Sequence, residues 1–295
     1  KINTFSLAGG NAGEVEVRAG DLVGSATVGN LDIGSINAFA VNGSGGRVTL
    51  STNNGNIQTN EILASSFGGG DGGNVTLATV NGNIAIDPKQ DIQTTSIGGT
   101  GGSINLSTVS GNIAMNNLIS NSILGNGGRT SISAVKGDIR TGDINVDSVL
   151  KNGGSITIAA NAGQVFTGSL NAQSTVQGNA GTIQTRSLDD MQLGDVNAWA
   201  TQGNGGSVTV QTDSNFTSRS LLSYSREGRG SNITLQAGGD ISTYSINTTA
   251  NQGSGNITID TPGTLRLTFE DQTNLVAGAF RSTIYSSDTF GVGAG

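Results

Sequence analysis

Residues 45–66 read Gly45-Gly46-Arg47-Val48-Thr49-Leu50-Ser51-Thr52-Asn53-Asn54-Gly55-Asn56-Ile57-Gln58-Thr59-Asn60-Glu61-Ile62-Leu63-Ala64-Ser65-Ser66. Within this stretch Val48-x-Leu50 and Ile62-x-Ala64-x-Ser66 alternate with period two, which is how a strand buries one face. Ile57 and Ile62 lie five residues apart, an interval that a helix, with its three- and four-residue spacings, does not keep. Glycine and asparagine punctuate the segments, as turns require.

The same signature recurs outward in both directions. A glycine pair, a polar residue and two alternating apolar residues appear at Gly72-Gly73-Asn74-Val75-Thr76-Leu77, Gly101-Gly102-Ser103-Ile104-Asn105-Leu106, Gly153-Gly154-Ser155-Ile156-Thr157-Ile158 and Gly205-Gly206-Ser207-Val208-Thr209-Val210. Looser copies run through Val15, Thr130, Ile183, Ile233 and Ile257, making ten starts about 26 residues apart. A second signature follows in each unit, as Gly82-Asn83-Ile84, Gly111-Asn112-Ile113, Gly137-Asp138-Ile139 and Gly239-Asp240-Ile241. The five-residue interval is kept from Leu31 to Ile36, Ile113 to Leu118, Val165 to Leu170, Phe216 to Leu221 and Ile241 to Ile246.

A repeat of this length built from short strands predicts an all-β fold: one right-handed parallel β-helix, a β-solenoid of about ten coils of about 26 residues with three faces per coil. Val48, Val75, Ile104, Ile156 and Val208 are expected to stack inward on one face, Ile57, Ile84, Ile113, Ile139 and Val165 on the next. Ile62, Leu118, Ile144 and Leu170 open the third, which continues inward with small residues such as Ala64, Ser66, Ala172 and Ser174. The glycines and asparagines are expected at corners, where positive φ is tolerated. Residues 1–295 read as one continuous solenoid segment of a longer array, since Gly293-Ala294-Gly295 resembles the opening of another repeat. Departures from the spacing predict loop excursions at about 18–30, 87–91, 268–274 and 280–292.

Composition removes several function classes. Forty-eight glycines in 295 residues exclude an all-α protein, and two prolines exclude collagen. Without Cys a disulfide scaffold is impossible, and without Cys or His zinc or haem chemistry is not expected. The longest apolar run is far short of the roughly 20 residues that span a bilayer, so no membrane-spanning segment is expected. A net charge of −7 and scattered cations argue against nucleic acid, Arg219, Arg226 and Arg229 being the nearest approach to a basic cluster.

Several candidate sites can be weighed. An outward acidic column, Glu61, Asp91, Asp143 and Asp195, is the place to look for polysaccharide cleavage, yet its members are two coils apart, roughly 10 Å, and sit beside corner glycines. Asp189-Asp190 stands where other coils carry their Gly-Asn turn. For calcium, Gly69-Gly70-Asp71-Gly72-Gly73 is a single near miss of a nonapeptide repeat that is not present in series, so no cofactor is expected beyond that weak calcium possibility. Thr49, Thr76, Thr157, Thr209 and Thr234 form an outward ladder of the kind an ice-binding face uses, but the column beside it is irregular and Thr favours strands anyway. Lys136-Gly137-Asp138 resembles an integrin-recognition tripeptide in an ordinary corner position. The aromatic residues carry more promise: Phe39, Trp199 and Tyr224 occupy the same place in their coils, and Phe280, Tyr285 and Phe290 cluster near the end of the chain. All six are candidate contacts for a glycan or a partner.

The repeat from about Val15 to Ile259, with its Gly-Gly-Ser-Ile-Thr-Ile and Gly-Asn-Ile-x-Thr coils, resembles the shafts of bacterial filamentous-haemagglutinin-like exoproteins. That resemblance implies an extracellular or cell-surface protein secreted through a two-partner outer-membrane transporter, with a role in adhesion, aggregation or biofilm. The family's Asn-Pro-containing secretion motifs have no counterpart here, since neither proline follows asparagine. The expectation is a non-enzymatic adhesive shaft whose partners are a host or neighbouring cell surface, a glycan or another copy of itself. The alternatives are a filament subunit stacking end to end and a polysaccharide-binding or polysaccharide-cleaving β-helix.

Overall fold

The computed structural model describes residues 1–20, 29–267 and the backbone of 282–285. It is an all-β parallel β-solenoid without helix among the described residues. The longest face holds eleven parallel strands, from Val15–Ala19 through Arg47–Asn54, Asn74–Asn81 and Ser103–Ser110 to Ile257–Asp260 and Ser282–Tyr285. Short strands such as Ile57–Thr59 and Ile62–Leu63 form the second and third faces, whose columns pair into one eighteen-stranded sheet. Later coils fuse the two faces, so that Phe216–Leu222 and Ile241–Asn247 run through both.

Register is one to one. Val48 pairs with Val75, Val75 with Ile104, and Ile57 with Ile84, so each apolar residue lies over its counterpart in the next coil. A column of bridged small residues from Ser6 through Ser66, Ser96, Ser122, Ser148 and Ser174 to Ala250 makes nine axial steps. The predicted inward columns are the core: Val48, Leu50, Ile57, Ile62, Ile84, Ile113, Ile139 and Phe216 are fully buried. Each such side chain contributes about 1.5–3 kcal/mol before entropy is subtracted.

The glycines are at the corners for a different reason from the one expected. Only six described glycines have positive φ, among them Gly9 and Gly178 at +91°, and no asparagine does. What the paired glycines provide is proximity. A Cβ on Gly154 would stand 1.9 Å from the carbonyl oxygen of Gly128 in the preceding coil, and one on Gly72 would stand 1.9 Å from the carbonyl oxygen of Thr94. The walls meet there, so the backbone N–H of Gly73 donates to the carbonyl of Ala64 at 2.6 Å, Gly102 to Thr94 at 2.6 Å and Gly154 to Val146 at 2.7 Å. The small side chains of the third face and the glycine pair thus share one tight edge of the rod.

Two expected excursions need correction. Arg18 and Ala19 belong to the first strand of the long face, pairing with Ser51 and Thr52, while Gly29 and Leu31 already bond to Asn54 and Asn56 of the next coil. Ser282–Tyr285, read as part of a 280–292 loop, instead pairs in parallel with Ile257–Asp260 and extends the long face; its spacing of 25 residues from Ile257 is that of a normal coil. Around 87–91 the chain closes a tight turn, with the Gln90 N–H on the Asp87 carbonyl and the Lys89 N–H on the Asp87 carboxylate. The expected excursion at 268–274 and the interior of the first one, residues 21–28, lie outside the described residues.

Candidate functional site

Polar side chains on the outside of the rod are organised as ladders. Asn30 accepts from the backbone N–H of Asn56, Asn56 from Asn83, Asn83 from Asn112, Asn112 from Asp138 and Asp138 from Gln164, at 2.7–3.0 Å. Asn152, Asn179 and Asn204 form a parallel series at the glycine edge. Each side-chain oxygen satisfies a corner N–H that a strand ladder does not reach.

The acidic column belongs to this pattern. Asp91 accepts from the Asn117 N–H at 3.2 Å, Asp143 from the Ser169 N–H at 2.7 Å and Asp195 from the Ser220 hydroxyl at 2.5 Å. These carboxylates act as rungs between coils, and the contacts do not bring two of them together as an acid and base pair requires. Asp190 is a turn residue: Ser214, chiefly, and the Asn215 backbone hold its carboxyl below the usual range by hydrogen bonding. Asp71 accepts from the Thr100 N–H, and among the described residues no three acidic, Cys or His side chains gather as a metal would need. Asp138 of the Lys136-Gly137-Asp138 sequence is itself a rung and pairs with Arg140 at 3.5 Å.

The aromatic column is divided. Trp199 and Tyr224, in adjacent coils, stack with ring centroids 5.6 Å apart and planes within 6°. Burial pushes the Tyr224 hydroxyl above its ordinary pKa, opposed by Arg226. Phe39 is six coils away, about 29 Å, and stacks instead on Phe5 at 5.2 Å and edge-on against Phe67 at 5.5 Å. Phe280 and Phe290 lie outside the described residues; Tyr285 ends the last strand, with its side chain outside the description. Phe5 and Phe67 went unnoticed in the sequence, although Phe67 follows the corner Ser66 just as Ile97, Ile123 and Val149 follow Ser96, Ser122 and Ser148.

Several shallow depressions mark the surface of the described residues. A shallow axial furrow of about 760 Å³ runs over the glycine edge, with backbone for a floor and Thr100, Arg129, Asn152 and Asn179 on its banks. A smaller one of about 400 Å³ lies by Met115, where Arg140 stacks 4.2 Å over the Phe166 ring. Neither gathers the convergent acids, bases or nucleophiles from which a reaction could be derived. No protein-family model, curated protein or solved structure matches the chain.

Proposed function

We propose that the chain is a rigid, non-catalytic shaft of a secreted bacterial surface protein, exported through an outer-membrane transporter and supporting adhesion, aggregation or biofilm. The observation that carries this reading is the unbroken register from coil to coil. Backbone bonds run parallel to the rod axis on every face, and the Asn30-to-Gln164 ladder reinforces the corners between them. Bending such a rod opens hydrogen bonds on one side while compressing glycine edges on the other. The half-buried Trp199–Tyr224 stack is a suitable contact for a sugar ring, whose C–H face packs on aromatic carbon.

Beads coated with the purified chain should be retained on epithelial monolayers or bacterial lawns above the level of beads coated with an unrelated protein. Retention at that background level on every surface overturns the adhesive reading. Release of reducing or unsaturated ends from plant or bacterial polysaccharides overturns the non-catalytic one.

A further inference from the structure

Immediately after the column of small residues the chain turns outward, and the side chain there is apolar coil after coil: Leu7, Phe67, Ile97 and Ile123 are exposed and Val41 and Val149 half-buried. Backbone hydrogen bonds hold these positions in line, with Phe67 N–H on the Ala40 carbonyl, Ile97 on Ser66, Ile123 on Ser96 and Val149 on Ser122. Leu124, Leu150 and Val176 continue the strip alongside, joined by bonds from Leu150 to Ile123 and from Val176 to Val149. Phe67 is 45% exposed, Ile97 40%, Ile123 45% and Leu124 48%, so these are not core residues glimpsed from outside. No charged residue interrupts the first column until Arg226, beyond Thr175 and Thr201.

We propose that this strip is a lateral pairing surface whose occupant is the same strip of a second copy of the chain, the two rods lying antiparallel about a two-fold axis. Three observations select that occupant. The strip is straight, parallel to the axis and repeats once per coil, so its complement is another linear row of apolar side chains at the same ~4.8 Å spacing. Together with the flanking Phe5 and Phe39 it leaves roughly 600 Å² of apolar surface in water, at the upper end of the largest patch a monomer commonly shows and below the ~800 Å² each partner of a stable pair covers. At a net charge of −7, copies repel one another over most of their surface, and this uncharged strip is where they can approach.

The antiparallel sense follows from the composition of the strip. Along the first column Leu7, Val41 and Phe67 lie on one side of Ile97, and Ile123, Val149 and Thr175 on the other. A two-fold axis at Ile97 sets Phe67 against Ile123 and Val41 against Val149 of the other copy, making the contact self-complementary.

Sedimentation velocity over a concentration series up to about 100 µM should show a reversible dimer. The exposed double substitution Phe67→Glu with Ile123→Glu, checked for an unchanged β-sheet spectrum and melting curve, should weaken dimerisation at least about tenfold. Because the chain has no Cys, single cysteines report the geometry. Ile97→Cys should oxidise to a covalent homodimer, and Phe67→Cys should cross-link with Ile123→Cys in mixtures more readily than either does alone. A chain that stays monomeric throughout, whether or not it floats with phosphatidylcholine vesicles, overturns the proposal, as does a dimer indifferent to the two glutamates. Preferential self-linking of Phe67→Cys overturns the antiparallel arrangement.

Discussion

The carbonyl of Thr94 and the N–H of Gly102 meet at 2.6 Å across the narrow edge of one coil, and a Cβ on Gly102 would stand 1.9 Å from the carbonyl oxygen of Gly73 one coil earlier. The close approach to the Gly73 carbonyl requires that the residue at 102 have no side chain.

Gly102→Ala and Gly154→Ala are therefore expected to be among the most disruptive small substitutions, because the obstructing atoms are backbone and move only if the coils part. A loss of about 3 kcal/mol or more, read from urea unfolding, is the expected scale. Gly69→Ala is the control: a Cβ there meets nothing within 4 Å, and its effect should lie within about 1 kcal/mol of zero. Equal effects at positions 69 and 102 would remove proximity as the reason for the glycine pairs.

In the core, Ile113→Ala leaves a void bounded above and below by Ile84 and Ile139, which are fixed in the same column. The expected cost is about 2–5 kcal/mol in chemical denaturation. Asn83→Ala removes a rung at an exposed corner, where water can replace the lost acceptor of the Asn112 N–H. Its cost should be only about 0.5–1.5 kcal/mol. A larger loss at Asn83 than at Ile113 would mean that the outer ladder, and not the spine, holds the coils together.

Asp147 gives the rod a pH dependence. Burial pushes its carboxyl up from 3.8 to about 6, only partly offset by the Gln173 N–H donated to it. The folded chain thus holds this proton more tightly than the unfolded chain does, so stability falls as pH rises through the window from about 4 to about 6. The loss is at most about 3 kcal/mol. Asp147→Asn keeps an acceptor for the Gln173 N–H and carries no charge. It should remove this contribution to the slope and raise the melting temperature at pH 7, as thermal unfolding followed by circular dichroism at several pH values would show.

Trp199 is the chain's single tryptophan, so its fluorescence reports on the stacked pair without interference. Tyr224→Ala should shift and intensify that emission by exposing one indole face. If the pair binds sugar, a glycan that changes the wild-type emission should lose at least about tenfold in affinity in this variant. An unaltered affinity would confine the pair to a structural role.

The spine was legible in the amino-acid order because burial imposes a strict rule, one apolar residue at one place in each coil. Ile57 and Ile62 obey it, as do their counterparts through Phe216 and Leu221, and the Val48 column departs from it at the buried Thr130. The meaning of the glycines was not legible, since the letter alone does not distinguish a residue that needs positive φ from one that must leave room for a neighbouring carbonyl. The acidic column was visible, and its weighing as corner residues agrees with the rungs formed by Asp91 and Asp143. Phe39, Trp199 and Tyr224 do share a column, but only the last two touch. The strip through Phe67, Ile97 and Ile123 escaped notice because its outward direction depends on the turn after the buried serines, and alternation does not extend through that turn.

The one-to-one register has a consequence for how such a molecule can change. Since Ile113 lies over Ile84 as Ile139 lies over Ile113, excising residues 113–138 would join Asn112 to Ile139 and present every remaining coil with a counterpart of the same kind. Length is therefore a free variable of the architecture. Recombination between repeats in the gene can lengthen or shorten the rod by whole coils, adjusting its reach without inventing a new fold.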